Sequence, residues 1–202
     1  MLAAYPGSEI LDVGGGHGQT TTALVRTGHM VTVLGSSHIC KTRIEHLLDE
    51  NHCTFKVGNI HDLPYPDQAF DVVISYRVLA HIKGWKRFLS EITRVARFAV
   101  VVDFPAICSV NFLAPFLFPV KSRIEGNARP YTSYQEHKLV EEFEGLGFYM
   151  TERFPEFFFP MVFHRVINSW RFSSTVEKTC RRVGLTNRFG SPVIIKLIRG
   201  DG

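Results

Sequence analysis

Nine residues, Ile10-Leu11-Asp12-Val13-Gly14-Gly15-Gly16-His17-Gly18, constrain the fold of this chain more than any other stretch. The apolar run ending at Val13 has the length and composition of a buried parallel strand. The glycines after it allow positive φ and admit a ligand that would otherwise meet a Cβ. A helix is expected over 19–27, closed by Gly28 in a left-handed cap. The first amides of that helix have no intrahelical partner, so with the turn they offer donors at the carboxyl end of the strand. Glycine spacing bears on the ligand. A dinucleotide fingerprint needs its third glycine three positions after the second, and here that position holds Gln19. A nicotinamide cofactor is therefore disfavoured.

Further strands are expected at 30–34, 54–57, 70–75 and 98–104, with helices over 38–49 and 84–95 between them. Residues 70–75 are almost continuously apolar, as a strand covered on both faces should be. Periodicity fails over 105–130, where Pro105, Pro115, Pro119 and Pro130 punctuate two apolar clusters, and a cap of short helical pieces is expected there. Ser133-x-x-Glu136 has the form of a capping box opening a helix that runs through Leu146. A sixth strand falls within 148–159, helical spacing runs over 161–183, and a seventh strand at 193–199 completes the pattern. Strands alternating with helices imply an α/β, doubly wound, seven-stranded and mostly parallel sheet with a helical cap. At 202 residues this suits one domain over 1–202, with cap insertions at about 105–131 and 160–190.

The motif Asp12-x-Gly14-x-Gly16-x-Gly18 after a strand resembles the first motif of the class I S-adenosylmethionine-dependent methyltransferases, of the small-molecule kind. The segment from Gly58 to Ser75 resembles the family's third and fourth strand region. Val78-Leu79-Ala80-His81-Ile82 and the run from Phe88 to Val95 resemble the helix that follows. The likeness covers roughly residues 7–104, in family order. It implies a Rossmann-like methyltransferase fold, S-adenosylmethionine as cofactor and S-adenosylhomocysteine as product. Asp12, Gly14, Gly16 and Gly18 would carry the methionine end, with His17 covering it, and Ser75 and Tyr76 would close over it. Gly35 stands where the family usually has an acidic residue for the ribose hydroxyls, leaving Ser36 as a weaker hydroxyl partner. Asn59 stands where an aspartate usually meets adenine and keeps an acceptor oxygen, with Ile60 packing on the ring.

Methyl transfer needs alignment more than a covalent nucleophile, and a base only where the acceptor must lose a proton. His81, just past the fourth strand, and Asp103, at the end of the fifth, are the candidates for catalysis; each has a structural alternative, a loop hydrogen bond for His81 and a turn cap for Asp103. Tyr131 and Tyr134 could line the acceptor pocket. Phe112, Phe116, Phe158 and Phe159 would give that pocket apolar walls, so a small apolar or aromatic acceptor is expected; packing among the rings or a homodimer surface is the alternative.

The chain is 45% hydrophobic and 21% charged, ordinary globular usage. Cys40, Cys53, Cys108 and Cys180 form no paired motif, which argues against a metal site or a disulfide frame and for a cytoplasmic setting. The longest apolar run, 110–120, is too short to span a bilayer. Net charge is +4, and residues 151–202 hold nine Lys/Arg against four Asp/Glu. A solvated basic face accounts for this, with peripheral membrane contact as the second reading. The basic residues match no nucleic-acid module. A catalytically degenerate binding or scaffold protein with the same fold is the alternative to an enzyme, favoured by Gly35 and by the short lead before the first strand.

Overall fold

The computed structural model describes residues 2, 5–15, 18–48, 52–107, 132–159 and 170–200. Its seven strands are β1 (Glu9–Val13), β2 (Met30–Gly35), β3 (Cys53–Val57), β4 (Phe70–Ser75), β5 (Ala96–Phe104), β6 (Phe148–Pro155) and β7 (Val193–Arg199). They form one sheet in the order β3-β2-β1-β4-β5-β7-β6. Neighbours from β3 through β5 are parallel, and β7 runs antiparallel to both β5 and β6. The helices are α1 (Gln19–Arg26), α2 (Ile39–Thr42), α3 (Glu45–Leu48), α4 (Trp85–Val95), α5 (Glu136–Gly145), α6 (Trp170–Arg182) and α7 (Leu185–Phe189).

The apolar runs of the central strands follow from burial on both faces. Side chains alternate across a strand. Leu11, Val13, Val73, Val100, Val102 and Phe104 join a core with Phe88, Leu89 and Ile92 of α4 and Leu139 and Phe143 of α5. Ile10, Val72, Ile74, Ala99 and Val101 join the opposite core with Leu24 and Val25 of α1, Ile44 and Leu47. Each such Val, Leu or Ile contributes about 1.5–3 kcal/mol on burial, so strands satisfied on both faces are fixed in register as well as position.

Arginines tie the connections down. Arg94 donates to the carbonyls of Leu63 and Tyr65 at 3.0 and 2.9 Å, while buried Glu91 accepts the Leu63 N–H at 2.7 Å. The proline-punctuated loop before β4 is thereby fastened to α4. Arg199 donates to the carbonyls of Thr93 and Ala96 at 2.9 and 2.7 Å. No linker separates α4 from β5: the strand starts at Ala96, two residues ahead of the expected 98.

Most expected elements are present, with two further differences. The helix expected over 38–49 is two short pieces, because Ile44, fully buried, packs against Gly18 and the chain tightens to i−3 bonds, Ile44 N–H to the Lys41 carbonyl at 3.0 Å and Leu47 N–H to the Ile44 carbonyl at 2.8 Å. The Ser133 capping box does not form. Gln135 is the N-cap in extended conformation, and the Glu136 carboxylate takes the Arg153 Nε–H at 2.7 Å instead. β6, Phe148–Pro155, falls within the expected 148–159. Of the segment expected to be helical over 161–183, residues 161–169 lie outside the described residues and α6 runs from Trp170; α6 and α7 lie between β6 and β7 in the chain. Of the 105–131 cap only 105–107 is described: Ala106 bridges to Tyr134.

Candidate active site

The turn after β1 has the geometry of a cradle. Gly14 has φ 84°, and a Cβ there would run into Val78 Cγ2, so a side chain is excluded by conformation and by space. Its N–H donates to the Leu34 carbonyl at 2.9 Å, anchoring the turn to β2. Gly18, the N-cap of α1, donates to the Gly15 carbonyl at 2.8 Å. Asp12 is 1% exposed, its carboxylate tucked beneath Gly15 and accepting the Thr21 hydroxyl at 2.8 Å. Burial pushes that carboxyl up to about 6, the Thr21 bond working the other way. Asp12 thus braces the turn from below while still bordering the recess above it, alongside Gly14, Gly18 and Tyr76. Gly16 and His17 lie outside the described residues.

At the ends of the neighbouring strands the chain is pinned by side chains. The Ser75 hydroxyl donates to the Val13 carbonyl at 3.1 Å, locking β4 to β1. Arg77 has φ 61°, rare for a residue with a side chain. Its N–H donates to Asp103 Oδ1 at 2.5 Å, and its guanidinium reaches Gln19 Oε1 at 3.3 Å, spanning from the end of β5 to the start of α1. Burial pushes the Asp103 carboxyl up, with the Arg77 N–H and charge pulling the other way. Burial likewise raises Tyr76, and the charges of Asp103, Glu156 and Asp12 add to it.

Beyond this pin lies an open cavity of about 580 Å³. Tyr76, Arg77, His81 and Asp103 form its rim toward the cradle; Pro105, Phe157, Pro192 and Ile194 give it apolar surface, and Glu156 stands among them. His81 closes a 3-10 turn, Leu79–His81, and is exposed. The structure therefore brings Tyr76, His81 and Asp103 together, as their positions at one sheet edge suggest.

Other expected site residues sit elsewhere. A Cβ on Gly35 would lie 2.8 Å from the Phe55 ring and 3.1 Å from Cys40 Cβ, so aromatic carbon occupies the space an acidic side chain would use. Ser36 is exposed. Asn59 Oδ1 accepts the His61 N–H at 3.0 Å, closing its own turn, and Ile60 packs on the core below. Tyr134 is core: its hydroxyl donates to the Leu79 carbonyl at 2.8 Å and its ring meets Trp85 edge-on. The backbone amides of Phe158 and Phe159 both donate to Glu177 at 2.9 Å, and Phe157 is the member of that run that borders the cavity among the described residues. Phe112, Phe116 and Tyr131 lie outside the described residues. Sequence reasoning passed over Glu156 and Pro192. Only the strand ends of 75–77 and 103 carried a signal; Glu156 and Pro192 reach the site through antiparallel pairing that no motif announces.

Solved structures of similar fold include methyltransferases. The magnesium protoporphyrin IX methyltransferase of Synechocystis PCC 6803, with bound SAH, superposes at a TM-score of 0.67 and 17% identity, covering 98% of this chain and 78% of that one. An S-adenosylmethionine-dependent methyltransferase from Mesorhizobium loti superposes at 0.65 and 12% identity, covering 96% and 91%. These define a Rossmann-like methyltransferase fold. In sequence, a model of the methyltransferase domain matches residues 11–98. The demethylmenaquinone methyltransferase of Tropheryma whipplei is 32% identical over 123 residues, 57% of this chain and 49% of that protein. The phthiotriol/phenolphthiotriol dimycocerosates methyltransferase of Mycobacterium tuberculosis is 33% identical over 97 residues, 45% and 34%. With the motif order and the strand order, these matches make residues 11–98 similar to the methyltransferase domain of class I S-adenosylmethionine-dependent methyltransferases. The chain spans about half the length of the first of these relatives, and a third of the second.

Proposed function

We propose that this chain is an S-adenosylmethionine-dependent methyltransferase acting on a small molecule with an apolar or aromatic body. The observation that carries the reading is adjacency: Gln19, Thr20, Tyr76 and Arg77 border both the glycine cradle and the larger cavity, so two ligands would meet across one rim. The cradle suits the cofactor on its own terms, since Gly14 turns at positive φ to line the recess with backbone and the first amides of α1 lack helical partners. When bound, the cofactor supplies a methyl group on a sulfonium. Asp12, Gly14 and Gly18 would hold its methionine end, and Tyr76 would stand between it and the cavity. The apolar surface of Phe157, Pro192 and Ile194 would take the body of the acceptor and exclude water. Fixing two reactants in this way can supply about 7–11 kcal/mol of the barrier reduction. His81 and Asp103, which both border the cavity, would hold or take an acceptor proton. Gly35, Ser36, Asn59 and Ile60 lie along the ends of β2 and β3 and would serve the nucleoside by backbone and packing contacts.

The Phe55 ring over Gly35 favours one second reading, a member that binds the cofactor without turnover. Calorimetry separates the possibilities. S-adenosylmethionine and S-adenosylhomocysteine are expected to bind and NADH not to bind. Gly14→Val should weaken both cofactor titrations by about a hundredfold or more, about 2.7 kcal/mol, in a protein that still melts cooperatively. Failure of the folded wild type to bind S-adenosylhomocysteine would remove the assignment. Binding without methylated product across a small-molecule panel would favour the second reading.

A further inference from the structure

The antiparallel end of the sheet brings a carboxylate to the cavity that neither the motifs nor the family likeness assigns. Asp103 of β5 pairs with Ile194 of β7, which pairs in turn with Phe154 of β6. Because β7 runs opposite to both, the carboxyl ends of β5 and β6 and the start of β7 share one edge. Glu156 lies two residues beyond Phe154 at that edge. Its backbone is fixed on both sides: the N–H donates to the Pro192 carbonyl at 2.9 Å, and the carbonyl accepts from Arg181 at 2.8 Å. Its half-buried side chain borders the cavity, and no hydrogen bond to the carboxylate is found among the described residues. Asp103, the other carboxylate there, is engaged by the Arg77 N–H. Burial first and then the charge of Asp103 raise the Glu156 carboxyl, with Arg77 opposing. A carboxylate held rigidly by its backbone, partly desolvated and beside a like charge, lacks a donor that an occupant of the cavity would provide.

We propose that Glu156 is a specificity-determining residue of the acceptor cavity, accepting a hydrogen bond from an N–H or O–H group of the acceptor and rejecting molecules that present a carboxylate. The inference rests on the cavity being the acceptor site. It narrows the acceptor class to an apolar body with a donor head, an amine or a hydroxyl, both of which share this chemistry.

The test uses the full chain and three probes of matched size: benzylamine, benzyl alcohol and benzoate. S-adenosylhomocysteine is titrated first, so the cofactor assignment stands or falls by itself. The probes are then titrated with and without it. At least one of benzylamine and benzyl alcohol should bind about tenfold or more tighter than benzoate, the scale of a charge-assisted hydrogen bond; which of the two binds more tightly distinguishes an amine head from a hydroxyl head. Glu156→Gln should reduce that ratio about tenfold with the melting temperature and S-adenosylhomocysteine affinity retained, and Glu156→Lys should turn the preference toward benzoate. Benzoate binding as tightly as the other two, an unchanged ratio in Glu156→Gln, or no saturation by any probe would overturn the proposal.

Discussion

The cradle and the cavity share one rim but are built by different means. On the cradle side, at the ends of β1 and β2, the backbone forms the surface: Gly14 and Gly18 shape it, and the one carboxylate nearby, Asp12, is turned inward onto Thr21. On the cavity side, at the ends of β5 and β6, side chains form the surface, and two carboxylates, Asp103 and Glu156, border open space beside Arg77 and His81. A backbone surface suits a constant ligand, because its donors are fixed by chain conformation. A side-chain surface can be changed residue by residue and suits the ligand that differs between relatives.

The largest expected effect tests how closed the cradle side is. The Asp12 carboxyl sits at about 6 against an ordinary 3.8, so in that window the folded protein holds a proton that the unfolded chain has released. Stability contributed by this group therefore falls as pH rises from about 4 to about 6, and above that window the full cost, about 3 kcal/mol, is in force. Asp12→Asn keeps an oxygen for Thr21 and removes the titration. Urea unfolding of both proteins at several pH values should show the variant gaining about that much relative to wild type across the window. Parallel curves would place Asp12 in an environment as wet as the cavity, and the contrast between the two sides would fail.

A smaller effect is expected at the edge of the cradle. Gly35→Asp would force carbon against the Phe55 ring, at a cost of about 1–3 kcal/mol for overpacking. Thermal melts should show the loss, and S-adenosylhomocysteine affinity should not improve. Tighter binding would mean that Phe55 moves aside and that a side chain can complete this surface after all. The smallest effect lies beneath the cavity side. Tyr134→Phe removes the bond that supports the Leu79 carbonyl in the turn bearing His81, costing about 1 kcal/mol. Cofactor affinity should stay level; a fall of more than a few-fold would show that the two sides are mechanically coupled.

The same contrast governs what the sequence made legible. β1, β4 and β7 have the bounds their apolar runs indicate, and the glycines of the first turn announce their conformation, because backbone requirements appear as residue type and spacing. Within 38–49 the periodicity suits a helix, yet burial of Ile44 beside Gly18 breaks it, a tertiary demand absent from local pattern. Ser133 and Glu136 have capping-box spacing, but Arg153, 17 residues further on, claims the glutamate. Tyr134 has the residue type of a pocket wall, and only packing against Trp85 reveals it as core. Glu156 had no sequence signal: its place depends on the register of β6 against β7. Asn59 is the intermediate case, where the position is right and the acceptor oxygen is turned onto the neighbouring His61 amide.

The last strand in sequence is not the last in space. β7 lies between β5 and β6, and it supplies both ladders at that end of the sheet. During synthesis, the parallel strands through β5 can pair while later residues are still being added, so the cradle can assemble early. β6 emerges about forty residues before β7, its ladder partner among the described residues, a delay of several seconds at ordinary translation rates of about 5–20 residues per second. Throughout that interval its aromatic-rich edge has no native strand to join. The cavity side is thus the last part of the described sheet to complete its ladders.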